Sequence, residues 1–249
     1  MRKNREKDVL NILQDKEEVT VEEIAKALFI SPATVRRTLA VLSNKGLVVR
    51  THGGAKLEDA NNFTPSFDLR THTNRVAKKQ IALASIKLVK NGDMIFLDGS
   101  TSAYVIAEHL KNLTDVKVVT NGIDTLTLLA KNGVKGYSTG GVISAQNPSA
   151  LIGGLAEDTV TKMHANVMFF SCQAVDKQGN VYDCYEEENY LRQAMMKNAD
   201  VKVLLCDGEK IGKTAPYKLC TLYDVDFIVS DANLVSFFDG RYIDKTIIV

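Results

Sequence analysis

The chain has 249 residues, 45% of them hydrophobic and 24% charged, a composition typical of a globular protein large enough for more than one domain. Its formal net charge is +1, but the charge is uneven: eleven Lys/Arg face seven Asp/Glu through residue 56, and twenty face twenty-three afterwards. There is no apolar run long enough to span a bilayer, no apolar signal region and no Cys-x-x-Cys spacing, so we expect a cytoplasmic protein with reduced thiols and no metal or cofactor.

The first 57 residues predict three helices followed by a two-stranded ribbon, which is a winged helix-turn-helix. Thr20 is a residue type favoured at the N-cap of a helix, and Glu23 three residues later has the spacing of a capping box. The predicted elements are a helix over 3–14, a second helix after Thr20, a third over 32–42, a glycine turn at 44–46, a strand over 47–50 and a hairpin bend over 51–55.

The third helix has the features of a DNA-recognition helix. Ser31 can cap it and Pro32 can open it, and small residues at its start allow a close approach to DNA. The N-H groups of a helix start suit phosphates, and arginines read guanine edges in the major groove. The hairpin can grip the backbone or the minor groove. The candidate DNA-binding residues are Ser31, Thr34, Arg36, Arg37, Arg50, His52 and Gly53.

The remainder of the chain predicts a linker followed by an α/β domain. Residues 58–74 lack a clear period and are predicted as the linker, although Phe63, Phe67 and Leu69 can dock on a domain surface. Residues 75–249 begin with a long helix over 75–90. Short apolar strands then alternate with helices, which indicates a buried, mostly parallel sheet. The strands are predicted over 94–97, 116–120, 134–138, 167–171, 201–206, 227–230 and 246–249, and the helices over 102–111, 123–132, 155–163 and 187–199.

The loop after the first of these strands is the strongest candidate ligand site. Ligands of open α/β sheets bind at the carboxyl ends of the strands, and a Gly/Ser/Thr loop that opens a helix offers hydroxyls and N-H groups to a phosphate. The loop lacks the lysine of a P-loop and the Gly-x-Gly-x-x-Gly pattern, so a nucleotide is not expected. The alternative is an ordinary N-cap turn. The candidate residues here are Asp98, Gly99, Ser100, Thr101 and Ser102.

Loops after other strands supply further candidates for the same cleft, each with a simpler alternative. Asn121, Gly140 and Gly141 can line the cleft, or they can serve only as turn residues that favour positive φ. Lys210 can neutralise a phosphate, or it can be an exposed turn lysine. Glu186, Glu187 and Glu188 precede a helix, where acids suit the helix dipole. His109 and His164 have no evident partner, and no role is assigned to them.

Taken together, these segments resemble the DeoR family of bacterial transcriptional regulators over nearly the whole chain. The head carries the resemblance in Ser31–Arg37 and in Arg50–Ala55, which is similar to the wing signature of the family. The body carries it in segments that occur in the family's order, namely Ile95–Asp98, Val118–Gly122, Thr139–Gly141 and Asp207–Lys210.

The resemblance implies a larger domain related in fold to ribose-5-phosphate isomerase, which binds a phosphorylated sugar that changes DNA affinity. It also implies a repressor of carbohydrate genes that binds double-stranded operator DNA as a dimer or tetramer, with Asp98, Ser100–Ser102 and Lys210 in the sugar-phosphate pocket. Five positions depart from the family pattern: Thr38 replaces an Asp, Ser100 a Gly, Ser102 a Thr, and Arg192-Gln193 a Lys-Arg pair.

Two other functions remain open at this point. A sugar-phosphate isomerase with an appended DNA-binding head needs a carboxylate base, but Val175–Gly179 lacks the acidic cluster that those enzymes carry. A DNA-binding scaffold without small-molecule control leaves the hydroxyl loop and Lys210 without a purpose. The sequence names neither the sugar, the operator nor the sign of the response.

Overall fold

The computed structural model describes residues 2–14, 18–44, 48–57 and 66–249. Its contacts divide the chain into two compact units, Met1–Arg70 and Thr71–Val249. The division falls within the predicted linker, of which residues 58–65 lie outside the described residues, as does most of the predicted glycine turn at 44–46.

The first unit is a winged helix-turn-helix, as predicted. Its three strands form an antiparallel sheet in the order β1-β3-β2. The predicted capping box is confirmed: the Glu23 amide donates to Thr20 Oγ1 at 3.2 Å, and the Thr20 amide donates to Glu23 Oε2 at 2.9 Å. The elements are α1 (Arg2–Gln14), β1 (Val19–Thr20), α2 (Val21–Leu28), α3 (Pro32–Asn44), β2 (Val48–Arg50) and β3 (Gly54–Leu57).

Apolar stripes from all three helices form the core of the first unit. Val9, Ile24, Val35 and Leu39 are each fully buried in it. A further helix, α4 (Phe67–His72), forms in the segment predicted as a linker, and its Leu69 packs against this core. The sequence analysis anticipated that docking but not the helix, because a single turn and a half is too short to show a period.

The second unit is an α/β domain built on a seven-stranded, fully parallel sheet. The strand order is β15-β14-β12-β9-β4-β5-β6, and all seven strands were predicted. The second unit has twelve strands, of which seven form this sheet: β4 (Met94–Leu97), β5 (Lys117–Thr120), β6 (Lys135–Ser138), β7 (Val142–Ile143), β8 (Leu151–Ile152), β9 (Ala165–Ser171), β10 (Ala174–Val175), β11 (Asn180–Asp183), β12 (Ala199–Leu205), β13 (Tyr217–Thr221), β14 (Phe227–Ser230) and β15 (Thr246–Ile248).

Helices cover both faces of the parallel sheet. Alternate strand residues point to opposite faces, so Ile95 and Leu97 pack under α5, α6 and α7, whereas Phe96 packs under α8 and α9. The helices are α5 (Arg75–Ser85), α6 (Thr101–His109), α7 (Ile123–Lys131), α8 (Gly154–Thr161), α9 (Glu186–Lys197) and α10 (Leu234–Phe237).

Two small antiparallel sheets accompany the parallel one and were not predicted. One pairs β7 with β8, and the other has the order β10-β11-β13. Their strands are two to five residues long, which is too short for an alternating pattern to be distinguished from a loop.

The strand order places a topological switch point between β4 and β9. The chain runs outward from β4 through β5 to β6 and then returns to β9 on the other side of β4, from where it continues outward to β12. The connections that leave β4 and β9 therefore diverge, and the crevice between their carboxyl ends is where open α/β sheets bind ligands. The loop that begins at Asp98 lies at this crevice.

Candidate functional site

Ser31 caps the third helix, as predicted. Its Oγ accepts the Thr34 amide at 3.2 Å and lies 2.9 Å from Thr34 Oγ1. Ser31, Pro32 and Ala33 are all exposed. The start of α3 is therefore a capped helix end with small exposed side chains, a shape that allows close approach to a groove.

The two arginines of α3 are both exposed, but they differ in their contacts. Arg36 lies 3.5 Å from Glu22 on α2, in an ion pair that solvent screens. Arg37 makes no hydrogen bond or ion pair with any residue that the structure describes. Arg37 is therefore free to contact another molecule, whereas Arg36 has to exchange a weak partner first.

The wing is fixed to the start of α2. The Val21 amide donates to Gly53 O at 2.9 Å, and the Thr51 amide closes the hairpin on Gly54 O at 3.1 Å. Gly53 has a φ of +102°, and a side chain at Gly54 would meet Val19 O at 2.3 Å, so both positions suit glycine. Arg50 and His52 are exposed beside this turn.

Asp98 is fully buried after the end of β4, and its carboxylate accepts three hydrogen bonds from the protein. Oδ1 accepts the Ser100 amide at 3.1 Å, while Oδ2 accepts the Ser171 amide at 3.1 Å and Arg192 Nε at 2.9 Å. Asp98 thereby joins the predicted loop to the end of β9 across the switch point.

Arg192 on α9 is the centre of a buried charge cluster that the sequence analysis missed. Its guanidinium contacts Asp98, Asp183 at 3.0 Å and Glu188 at 3.1 Å. Burial opposes the charge of Arg192, but the three carboxylates outweigh it and raise the pKa of the guanidinium. Glu188 also accepts Asn147 Nδ2 at 2.9 Å. The i, i+4 spacing of Glu188 and Arg192 was the available signal; the partners far away in sequence gave none.

The hydroxyl loop opens α6 as predicted. Ser100 Oγ accepts the Ala103 amide at 3.1 Å and so serves as the N-cap. Thr101 and Ser102 are more than nine-tenths buried, yet their hydroxyls make no hydrogen bond to a described residue. Their amides, in the first helical turn, have no partner within the helix. A Cβ at Gly99 would lie 3.3 Å from Ala150 Cβ and 3.4 Å from Asn121 Nδ2, so a larger residue there would require these neighbours to shift.

Asn121 lies beside Gly99 of this loop, and Gly141 lies beside Ile152 on β8. Asn121 Nδ2 donates to Leu151 O at 3.0 Å, and its Oδ1 is buried without a partner. A Cβ at Gly141 would meet Ile152 O at 2.3 Å, so Gly141 lets β8 approach closely; Gly140 has open space around it. The loop after β6 lies four strands from that after β12, about 19 Å at the usual strand spacing.

Lys210 reaches the switch point from the loop after β12. Its Nζ donates to Ser171 Oγ at 2.7 Å and lies 3.2 Å from Asp207 Oδ2. Burial alone would lower the pKa of Lys210, but Asp207 and the neighbouring thiols raise it; burial alone would raise the pKa of Asp207, but Lys210 and Lys78 lower it. The Ser171 amide in turn contacts Asp98, so the structure brings together Lys210 and the hydroxyl loop.

Other reactive groups of the second unit lie near Lys210 or on the surface. Cys172 and Cys206 are buried free thiols, and the hydrogen bond between them, with burial, raises the pKa of Cys206. His164, which had no predicted partner, lies 2.8 Å from Asp200 on the surface. A cleft of about 310 Å³ between Asn74 and Asp231 is lined by none of the predicted ligand residues.

Within the described ranges, no cluster of three or more His, Cys, Asp or Glu side chains is arranged to hold a metal ion. The described helices also include none that is long and apolar enough to cross a membrane.

Comparison with known proteins matches both units to one family. Residues 5–61 match the DeoR-like helix-turn-helix domain, and residues 73–232 match the DeoR C-terminal sensor domain. The chain is 33% identical to the L-fucose operon activator of Haemophilus influenzae over 92% of each chain, and 29% identical to the lactose phosphotransferase system repressor of Staphylococcus aureus over 90% of each.

Among solved structures, ribose 5-phosphate isomerase A of Methanocaldococcus jannaschii matches 56% of this chain and 55% of its own, with a TM-score of 0.43 and 17% identity. The two domain matches, which cover most of the chain, show that it belongs to the DeoR family of transcriptional regulators, with an N-terminal helix-turn-helix domain and a C-terminal sensor domain.

Proposed function

We propose that the protein is a sequence-specific repressor of carbohydrate catabolism genes, that a phosphorylated sugar controls it, and that it has no enzymatic activity. Two relatives are named as the activator of an L-fucose operon and the repressor of a lactose phosphotransferase system. The observation that supports control by a phosphorylated sugar is a chain of hydrogen bonds at the switch point. Lys210 Nζ donates to Ser171 Oγ, the Ser171 amide donates to Asp98, and Asp98 accepts the Ser100 amide at the start of the hydroxyl loop.

In the proposed DNA complex, α3 enters the major groove. The free Arg37 reads a base edge or a phosphate, Arg36 exchanges Glu22 for DNA, and Ser31 and Thr34 contact phosphates. Arg50, His52 and Gly53 in the wing contact the backbone or the minor groove. A homo-oligomer in the cytoplasm presents two such heads to successive grooves.

In the proposed effector site, the phosphate lies at the start of α6. The hydroxyls and amides of Thr101 and Ser102 donate to it, and the dipole of α6 favours its charge. The Lys210 ammonium has three donors, of which Ser171 and Asp207 occupy two, so the third is available. Asn121 Oδ1 accepts a sugar hydroxyl.

We assign the other predicted effector residues to the support of this site. Asp98 holds the loop in place through Ser100 and Ser171, since Arg192 and the two amides take three of the four acceptor positions of its carboxylate. Gly99 and Ser100 shape the turn. Gly141 serves the packing of β8, and Gly140, which has open space around it, stays a predicted lining residue of the cleft.

The isomerase alternative is disfavoured by the state of Asp176. Its carboxylate accepts the amides of Gln178 and Asn180, the Asn180 side chain and the Tyr182 hydroxyl. Burial alone would raise the pKa of Asp176, but these hydrogen bonds lower it. A carboxylate with four donors and a lowered pKa builds a turn and is a poor general base.

Thermal unfolding with a panel of phosphorylated sugars tests the effector site. A ligand at 100 times its Kd stabilises the folded protein by about 2.7 kcal/mol, which is readily detected. We expect one sugar phosphate to stabilise the wild type, and Lys210→Met and Thr101→Val to abolish that stabilisation. Lys213→Met, at an exposed lysine nearby, is the matched control and keeps the response. A panel without any response would overturn the control by a phosphorylated sugar.

Selection of duplexes from a random library with the full-length protein tests the DNA-binding surface. The enriched duplex and a scrambled duplex are then titrated by fluorescence anisotropy with the wild type and Arg37→Ala. Loss of a base-reading arginine costs about 1–3 kcal/mol and relaxes sequence preference. Unchanged affinity and preference in Arg37→Ala would contradict the role given to α3. A reporter gene behind the selected duplex gives the sign of regulation, and light scattering gives the oligomeric state.

A further inference from the structure

Phe29 combines two features that folded proteins usually avoid. It lies in the turn between α2 and α3, and its side chain is 95% exposed. Its backbone is left-handed, with a φ of 53°. Residues with a Cβ are disfavoured in this conformation, which glycine and asparagine tolerate best.

The fold of the first unit does not require phenylalanine at this position. The left-handed turn is held by main-chain bonds, because the amides of Phe29 and Ile30 both donate to Ala25 O. Ile30 packs against the helical core, whereas Phe29 has no place in it. Asparagine or glycine would satisfy the same turn with less strain and less exposed apolar surface.

The surroundings of Phe29 match a polyanion. From residue 24 to residue 57 the sequence has six Lys/Arg and no Asp or Glu. Phe29 precedes the N-cap Ser31 by two positions, and the side chains of Pro32, Ala33 and Arg37 are also exposed there. Phe29 therefore presents an apolar ring in a cationic segment, beside the helix proposed to enter the groove. This combination is suited to nucleic acid.

We propose that Phe29 packs against the apolar surface of operator DNA beside the groove that α3 enters. Two parts of DNA offer this chemistry, the deoxyribose face of the backbone and the methyl group of thymine. The inference rests on the proposed DNA-binding function. Phe29, with its strained backbone and exposed ring, is then retained for DNA binding at the expense of the stability of the free protein.

The test compares Phe29→Asn with the matched control Phe29→Leu in the full-length protein. Asparagine relieves the backbone strain and removes the apolar side chain, whereas leucine keeps both. We expect Phe29→Asn to raise the thermal midpoint and yet to weaken binding of the selected duplex about 5- to 30-fold, the range expected for losing a buried aromatic contact. Phe29→Leu should bind within about threefold of the wild type. A purely structural role would not lower affinity while raising stability.

Salt dependence and a second duplex complete the test. Phe29 carries no charge, so Phe29→Asn should leave the slope of log K against log salt unchanged, whereas loss of a phosphate-contacting arginine lowers it by about 0.9. An equal loss on the selected and scrambled duplexes identifies a deoxyribose contact, and a loss on the selected duplex alone identifies a thymine methyl group; either result supports the proposal. If Phe29→Asn binds the selected duplex as tightly as the wild type, the inference is wrong. If the wild type itself binds no duplex, the proposed function fails instead.

Discussion

Replacement of Arg192 by methionine tests the idea that this residue neutralises a buried acidic cluster. The guanidinium contacts Asp98 at 2.9 Å, Asp183 at 3.0 Å and Glu188 at 3.1 Å. The side chains of Asp98 and Glu188 are almost completely buried, and that of Asp183 is mostly buried. Methionine fills much of the volume of arginine but leaves three carboxylates without this cation.

The expected loss follows from the burial of these groups. Removing one partner of a buried ion pair costs about 3–5 kcal/mol, because the remaining charge stays desolvated. Each kcal/mol shifts the thermal midpoint of a domain of this size by about 2–4 °C, so Arg192→Met should lower it by roughly 6–20 °C. Arg75→Met is the matched control: Arg75 is half exposed in an ion pair of 3.5 Å with Glu108, and its loss should cost less than about 1 kcal/mol.

The response of the loss to salt distinguishes buried ion pairs from exposed ones. Salt is the measurement that follows from the burial: the lost ion pairs are shielded from solvent, so added salt should leave the deficit of Arg192→Met nearly unchanged. Calorimetry or circular dichroism at low and high salt measures this change.

A second variant removes one of the unpaired carboxylates together with Arg192. In Arg192→Met/Glu188→Gln one carboxylate is gone, so part of the lost stability should return at pH 7.5. A deficit below about 1 kcal/mol for Arg192→Met, or a double variant no more stable than Arg192→Met, would refute the electrostatic account.

Three further predictions concern other parts of the chain. Thr20→Ala removes the capping box and should cost about 1 kcal/mol, seen as roughly fivefold faster hydrogen exchange of the α2 amides. Gly54→Ala places a Cβ 2.3 Å from Val19 O. We expect it to cost about 1–3 kcal/mol, with faster hydrogen exchange of the amides in β1 and β3. The ion pair of Asp207 and Lys210 is lost only as the pH falls through the lowered pKa of Asp207, below 3.8, or rises through the raised pKa of Lys210, above 10.5. Affinity for a sugar phosphate should therefore follow only the second phosphate ionisation, near pH 6, whereas a sugar sulfate should bind equally at pH 5.5 and 7.5.

The sequence predicted those elements whose signal is local. The seven parallel strands are short apolar runs between helical periods, and the spacing of Thr20 and Glu23 identifies a capping box without reference to the rest of the fold. The small sheets carry no such signal. Strands β7 and β8 each have two residues, and their pairing depends on Gly141, which lets their backbones approach.

The candidate site was predictable in position but not in the contacts of its members. Open parallel sheets bind ligands at the carboxyl ends of their strands, whatever the side chains, and the loop after β4 lies at such an end. The environment of Asp98, by contrast, depends on Arg192, 94 residues later in the chain, and on the register that brings the Ser171 amide to the same carboxylate. Neither relation has a pattern within a short window of sequence.

The structure therefore divides the charged residues of the second unit into two kinds. Asp98 accepts hydrogen bonds from Arg192 and from two amides, and a ligand that displaced the buried Arg192 would lose several kcal/mol. Lys210 keeps one of its three donors available while its partners Ser171 and Asp207 hold it at the switch point. In the proposed effector site, a phosphate would gain Lys210 without breaking a contact, so the binding energy would be drawn from Lys210 and the hydroxyls of Thr101 and Ser102. Asp98 and Arg192 would instead fix the loop that carries those hydroxyls.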